Sequence, residues 1–269
     1  MRVWRYINIL SLDIAVGAMT GCAFFAHLFG IVLLSHGLLS LGLIVWIIYT
    51  VDHLADANRS EGEPSTERHR FHKRWRIPLK AGVVLASILV GIEAFYVRKP
   101  VLVAGLGLGI VVIVYLFFQA RLKMFKELTG ALLYTAGVLV APLSLLTRPL
   151  IEAEWSLIAL FMLTAFANLL LYSWFDQSND EQDGHVSMAT VLGQKTTGKI
   201  LMITFLVITV IGTLTIFLDP TFIWPIIFLL SMNALLFIPF QFRGYFSQKD
   251  RYRVVGDLAF LLPALYLLL

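Results

Sequence analysis

The chain has 269 residues, of which 59% are hydrophobic and only 14% are charged, and its mean hydropathy is +0.83. Soluble domains carry about 25% charged residues, so the composition excludes an ordinary soluble protein. The formal net charge of +4 is attributed to membrane topology and to contacts with anionic lipid headgroups rather than to nucleic-acid binding.

Long apolar runs predict an all-α integral membrane protein, because about 18 or more consecutive apolar residues can cross a bilayer as a helix. The runs lack the alternation that is typical of β-barrel strands. No linker or shift in composition divides the chain, so we expect residues 1–269 to form a single polytopic membrane domain. The sequence contains nine candidate spans: about 7–29, 31–51, 77–97, 100–118, 129–147, 155–175, 199–218, 222–240 and 254–269.

The basic residues predict the orientation of these spans, because cytoplasmic loops carry an excess of Lys and Arg. If the N-terminus is cytoplasmic and the spans alternate, only Arg98, Lys99 and Arg148 of the 21 Lys and Arg residues face outward. The other 18 lie in the inner segments, which are also the longer ones. We therefore expect a functional site on the cytoplasmic face, and the predicted location is a bacterial inner membrane.

Two acidic clusters follow apolar spans on this predicted inner side. The first holds Asp52 and Asp56, and the second holds Asp176, Asp180 and Asp183. Aspartates at positions i and i+4 of a helix place both carboxylates on one face, about one turn apart. Two such pairs facing each other could hold Mg²⁺, which requires oxygen ligands and commonly captures a diphosphate. The clusters therefore predict a phosphate-handling site at a membrane surface.

Basic residues lie close to both clusters along the chain. Arg59 and Arg68 follow the first cluster, and Arg121, Lys123 and Lys126 lie in the next inner loop. Arg side chains suit the oxygens that a metal-bound diphosphate leaves free.

Other polar residues allow further interpretations. His53, His69 and His72 share one inner loop and, with Asp52 or Asp56, could bind zinc, although their spacing defines no fixed ligand set. A buried carboxylate such as Asp13, inside the first span, is expected to face a cavity or to bond to a neighbouring helix.

Three stretches resemble the motifs of a known family. Tyr49 to Asp56 resembles an acidic motif of the form N/D-xxx-D-xxx-D, and Tyr115 to Gln119 resembles a Tyr-xxx-Lys stretch. Asp176 to Gly184, followed by Thr190 to Gly193, resembles a D-xxx-D motif and the segment after it. Together with nine spans, these stretches resemble the UbiA superfamily of intramembrane prenyltransferases along essentially the whole chain.

The chain departs from the family pattern at two positions. Ile48 stands where the first acidic motif usually begins with Asn or Asp, and Gln119 stands where the middle stretch has Lys. Arg121 and Lys123 are close enough in sequence to substitute for that Lys. These departures indicate a divergent branch.

The resemblance implies Mg²⁺-dependent transfer of an isoprenoid chain from an allylic prenyl diphosphate to an aromatic or other lipophilic acceptor, as in quinone or lipid biosynthesis. The implied partners are those two substrates and membrane lipids, with no nucleic acid. It further implies that Asp52, Asp176 and Tyr115 are catalytic, with Tyr115 positioned near the reacting carbon. The implied metal ligands are Asp52, Asp56, Asp176, Asp180 and Asp183, and the implied diphosphate ligands are Arg59, Arg68, Arg121 and Lys123.

Two alternatives remain open at this level. Ile48 and Gln119 are compatible with a family relative that has lost catalysis and binds an isoprenoid lipid or a quinone. A transporter with an acidic ion site is the second alternative. Transport sites usually lie near the membrane midplane, whereas both acidic clusters are predicted at the edge.

Overall fold

The computed structural model describes residues 2–59, 63 and 65–268, with the side chains of Arg2, Val3, Arg59 and Ala120 excepted. Over these residues the chain is helical and contains no strand, as the apolar runs predict. The helices are α1 (Arg2–Ile9), α2 (Leu12–Leu28), α3 (Ser35–Arg59), α4 (Glu67–Arg74), α5 (Arg76–Glu93), α6 (Lys99–Phe118), α7 (Lys126–Leu145), α8 (Glu152–Asp183), α9 (Met188–Leu192), α10 (Gln194–Leu218), α11 (Ile223–Gln241), α12 (Arg243–Phe246), α13 (Arg251–Ala259) and α14 (Pro263–Tyr266).

Six helical segments among the described residues are long and apolar enough to cross a membrane, and they contain α3, α6, α7, α8, α10 and α11. Helices α4 and α5 meet at a bend of 81° and together make a seventh candidate. The predicted count of nine spans is not confirmed. The first predicted span is divided by Ser11, whose φ of 55° ends α1, and the last is divided before Pro263, which starts α14.

Helix α8 forms the centre of the molecule, where it packs against α7, α10 and α11. Its inward side chains include Leu157, Phe161 and Leu170, all fully buried. With 32 residues it is about 48 Å long, which exceeds the roughly 30 Å of a bilayer's hydrocarbon core. Its last turns, which carry the second acidic cluster, can therefore extend beyond the apolar layer.

Helix α6, in contrast to α8, is exposed along its length. None of its described side chains is buried, and Val103, Ile110 and Phe117 are largely exposed. In water such a surface would be unfavourable, whereas lipid tails are as apolar as these side chains. The pattern is that of a helix facing lipid, and the chain is a membrane protein.

Helix α13 approaches α8 closely at Gly256. A Cβ added there would collide with Asn168 Oδ1 and with the hydroxyl of Tyr172, both on α8. Only glycine permits this approach, which brings the polar residues of α13 against the centre of the bundle.

We expect Gly256→Ala to lower the free energy of unfolding by about 1–3 kcal/mol, because the methyl group displaces the side chains of Asn168 and Tyr172 and disturbs the bond from Tyr172 to Asp257. Thermal unfolding in detergent would measure the change. Gly107→Ala on α6 is the matched control, since a Cβ there meets no atom within 4 Å. Equal stability of the two variants would contradict the close approach.

Candidate functional site

A cavity of about 1020 Å³ lies between α3, α5, α6, α7, α8 and α13. Polar side chains line it where α3, α6 and α8 end and where α7 begins, and the remaining lengths of these helices contribute mainly apolar residues. Four of the lining glycines border open space, because a Cβ at any of them would meet no atom within 4 Å: Gly37, Gly91, Gly109 and Gly137.

Four of the predicted aspartates line this cavity together: Asp52 and Asp56 from α3, and Asp176 and Asp180 from α8. Asp56 and Asp176 are buried. Each pair lies near the C-terminal end of its helix, where the helix dipole carries partial negative charge. Carboxylates in such a place repel one another and the helix ends, so the arrangement requires cations.

Asp183 has a different environment. It does not belong to the lining of the cavity, and its carboxylate accepts hydrogen bonds from the backbone N–H and the hydroxyl of Ser65, at 3.1 and 2.7 Å. The structure therefore separates Asp183 from the four aspartates with which it shares the sequence pattern.

Gln119 and Lys126 act on the first aspartate pair. The side-chain amide of Gln119 donates to Asp52 Oδ1 at 2.6 Å. The ammonium group of Lys126 interacts electrostatically with Asp52 and Asp56, and Lys126 lines the cavity. Tyr115 lines it too, and its hydroxyl donates to the Lys126 carbonyl at 3.4 Å. Gln119 thus binds the Asp52 carboxylate directly, and Lys126, seven residues later in the chain, supplies the positive charge.

Arg253 supplies the cation for the second pair. Its guanidinium forms an ion pair with Asp176 Oδ2, while the Tyr252 hydroxyl donates to Asp176 Oδ1. The Tyr252 ring stacks on Phe175 with centroids 4.2 Å apart, which holds the hydroxyl in place. Sequence reasoning missed Arg253 as a site residue, because it reads as one more topology-determining charge before an apolar run.

The four basic residues predicted to bind diphosphate have different positions. Arg68 is buried, lines the cavity, and donates to the backbone and side-chain oxygens of Asn8, both at 3.0 Å. Arg121 is exposed, with its guanidinium 5.1 Å from the Phe118 ring centroid, and Lys123 is exposed as well. Neither lines the cavity. The side chain of Arg59 lies outside the described residues.

A buried polar network extends from Arg68 towards α2 and α13. The Asn8 amide donates to Asp13 Oδ2 at 2.7 Å and to Asp257, whose other oxygen accepts from the Tyr172 hydroxyl at 2.6 Å. Asp13 is therefore bonded to a neighbouring helix and is absent from the cavity lining, whereas Tyr172 and Asp257 reach it.

The three histidines of the first inner loop lie close together but have different polar partners: the ring centroid of His53 is 5.1 Å from that of His72 and 6.0 Å from that of His69. His72 Nδ1 bonds to the Arg68 carbonyl at 2.9 Å, and His53 Nε2 lies 3.3 Å from the Ser11 hydroxyl. His69 also lies against His185, beyond the end of α8, with ring centroids 5.5 Å apart.

The fold is similar to three solved structures. A UbiA homologue from Archaeoglobus fulgidus bound to DMAPP and Mg²⁺ aligns with a TM-score of 0.60 and 16% identity, over 95% of this chain and 98% of that one. A structure of a UbiA homologue from the same organism bound to GPP and Mg²⁺ aligns at 0.66 and 14%, over 98% and 99%. A digeranylgeranylglyceryl phosphate synthase structure aligns at 0.54 and 12%, over 97% and 98%.

These alignments show that the chain has the UbiA fold over nearly its whole length. The fold implied by the aspartate motifs is therefore confirmed. No protein-family model matches the sequence, and no curated protein matches it. The divergence expected from Ile48 and Gln119 is consistent with identities of 12 to 16%.

We expect Arg253→Met to destabilise the protein by about 3 kcal/mol, because it leaves the Asp176 carboxylate buried without its cation. Adding Asp176→Asn should restore part of the loss, since the two groups are coupled. Thermal unfolding in detergent with EDTA is the measurement. Arg251→Met, two residues away and stacked on Tyr245, is the control. Equal losses in the two Arg variants would contradict the ion pair.

Proposed function

We propose that this protein is an intramembrane prenyltransferase, which transfers an isoprenoid chain from an allylic prenyl diphosphate to an aromatic or other lipophilic acceptor. The observation that carries the proposal is the convergence of Asp52, Asp56, Asp176 and Asp180 at one end of an otherwise apolar cavity. A diphosphate bound at that end would leave its hydrocarbon chain among the apolar side chains. The UbiA fold and the prenyl diphosphates bound to two structural neighbours support the assignment.

The four carboxylates fit Mg²⁺, which binds oxygen ligands through one or two carboxylates and substrate phosphates. Asp52 and Asp56 would hold one ion, and Asp176 and Asp180 a second. When bound, Mg²⁺ would neutralise the negative charge on the departing diphosphate. Gln119 occupies Asp52 Oδ1, so Oδ2 is the oxygen that would bind the ion. We assign Asp183 no role in this pair of sites, because Ser65 holds its carboxylate elsewhere.

The side chains that line the cavity supply the remaining positive charge. Lys126 and Arg68 line the cavity and would pair with diphosphate oxygens as the C–O bond breaks. Lys126 takes the part that the sequence suggested for Arg121 and Lys123. Tyr115, at the same end of the cavity, is proposed to lie near the reacting carbon. The apolar walls exclude water, which would otherwise quench an allylic cation before it meets the acceptor.

We further propose a cytoplasmic site in a bacterial inner membrane, with the N-terminus on the same side. The concentration of 18 of 21 Lys and Arg residues in the predicted inner segments supports this orientation. In this arrangement residues 1–269 form one membrane domain of nine crossings, in which α1 with α2 and α13 with α14 act as broken spans.

One observation favours a second candidate function. Both oxygens of Asp176 are already engaged, by Tyr252 and by Arg253, which compete with a metal ion for this carboxylate. A protein in which this ion pair persists would bind a prenyl diphosphate or a quinone without turnover. The two candidates share the cavity and differ in whether pyrophosphate is released.

The decisive assay incubates purified protein and Mg²⁺ with labelled farnesyl, geranylgeranyl and longer diphosphates and a membrane extract. We expect Mg²⁺-dependent release of pyrophosphate and a labelled lipid, reduced on the order of 100-fold or more by Asp52→Asn or Asp176→Asn. Asp219→Asn, in a connection remote from the cavity, should retain full activity. Full activity in the first two variants excludes the proposed chemistry, and binding without release favours the second candidate.

A comparison of two lysines tests the source of the diphosphate-binding charge. Lys126→Met should lower kcat/KM by at least about tenfold, because it removes a charge-assisted hydrogen bond worth about 1.5–3 kcal/mol. Lys123→Met should change it less than about twofold, since this side chain is exposed outside the cavity. If Lys123→Met lowers kcat/KM more than Lys126→Met does, Lys123 binds the diphosphate, as the sequence predicts, and the proposed role of Lys126 is wrong.

A further inference from the structure

Three potential metal ligands meet beside the cavity, outside the group of four aspartates. His69 lies on α4, Asp183 is the last residue of α8, and His185 follows two residues later. One ligand atom from each lies within 4.8 Å of those of the other two. Segments more than a hundred residues apart in the chain thus bring two imidazoles and a carboxylate to one point.

The local backbone accounts for the meeting of Asp183 and His185. Gly184 adopts a left-handed conformation with φ of 71° and ends α8. The N–H of His185 then donates to the Asp180 carbonyl at 2.8 Å, a bond typical of helix C-termini capped by glycine. The reversal at Gly184 places His185 back against the last turn of α8.

Two ring nitrogens in this group lack a hydrogen-bond partner. His69 Nδ1 and His185 Nε2 are buried, and neither bonds to any described residue. A buried polar atom without a partner costs about 1–3 kcal/mol, so such atoms usually have one. A bound cation would satisfy the nitrogens that the protein leaves unpaired.

We propose that His69, Asp183 and His185 bind a divalent transition-metal ion of the Zn²⁺ class. Two imidazole nitrogens and one carboxylate are a common zinc ligand set, which leaves the fourth position open. Mg²⁺ prefers oxygen ligands alone, so the chemistry of this site differs from that of the four aspartates. The ion would tie α4 to the end of α8.

Ser65 supports this assignment from the outer side of the site. Its backbone N–H and hydroxyl both donate to Asp183, which orients the carboxylate and joins the start of α4 to α8 without a metal. Carboxylates that bind metals are usually held by such outer hydrogen bonds. His69 and His185 also line the cavity, so the ion would lie in its wall beside the polar end.

A Co²⁺ titration tests the proposal without substrate, so it succeeds or fails independently of the prenyltransferase assignment. The full chain carries a tag free of histidine, is stripped with EDTA in detergent, and is kept in excess Mg²⁺. We expect visible d–d absorption that saturates at one Co²⁺ per chain and is displaced by Zn²⁺. His69→Ala, His185→Ala and Asp183→Asn should each weaken binding at least about tenfold, and Ser65→Ala by a similar or smaller factor.

His36→Ala is the matched control, because His36 pairs with Glu93 away from this site, and it should bind Co²⁺ like the unaltered chain. Misfolding is excluded by requiring equal thermal unfolding midpoints in EDTA. Zn²⁺ should then raise the midpoint of the unaltered chain but not of the His69 or His185 variants. The absence of saturable Co²⁺ absorption, or identical binding in folded His69→Ala and His185→Ala, would overturn the proposal.

Discussion

The repulsion among carboxylates at the ends of α3 and α8 is the constraint on which the rest of the site depends. Four aspartates line one cavity, at helix ends that are themselves partly negative and beside apolar walls that screen little. The positively charged and hydrogen-bond-donating side chains that interact with these carboxylates come from segments other than α3 and α8. Gln119 follows α6, Lys126 begins α7 and Arg253 belongs to α13. The late helices are therefore part of the site and not merely part of its scaffold.

Helix α8 combines the two requirements of the fold. Its middle is the most buried apolar segment among the candidate spans, while its last turns carry Asp176 and Asp180. A rigid central helix with one polar end fixes these carboxylates relative to the whole bundle. The same helix contacts α13 at Gly256, so the position of Arg253 depends on packing three residues further along α13, about one helical turn away.

Sequence patterns predicted what is local and missed what is distant. The apolar runs identified the six long apolar helices, and the i, i+4 spacing placed each aspartate pair on one helix face, because run length and helix periodicity alone decide these features. Arg253 gave no signal, since its partner lies on another helix, and the sequence did not distinguish Lys126 from Arg121 and Lys123. Arg121 was suggested by proximity in sequence, yet it projects outward from the turn after α6. The breaks at Ser11 and before Pro263 were hidden because apolar residues directly adjoin them, Leu10 and Leu12 in the first case and Leu262 in the second.

The glycines that border the open part of the cavity have an evolutionary consequence. Gly91 and Gly137, like Gly37 and Gly109, have free volume in front of them, and none has the positive φ that a side chain would strain. Larger residues at these positions would narrow the cavity without touching the aspartates. If the cavity holds the isoprenoid chain as proposed, preference for its length can diverge through single substitutions that leave the aspartates and the fold intact.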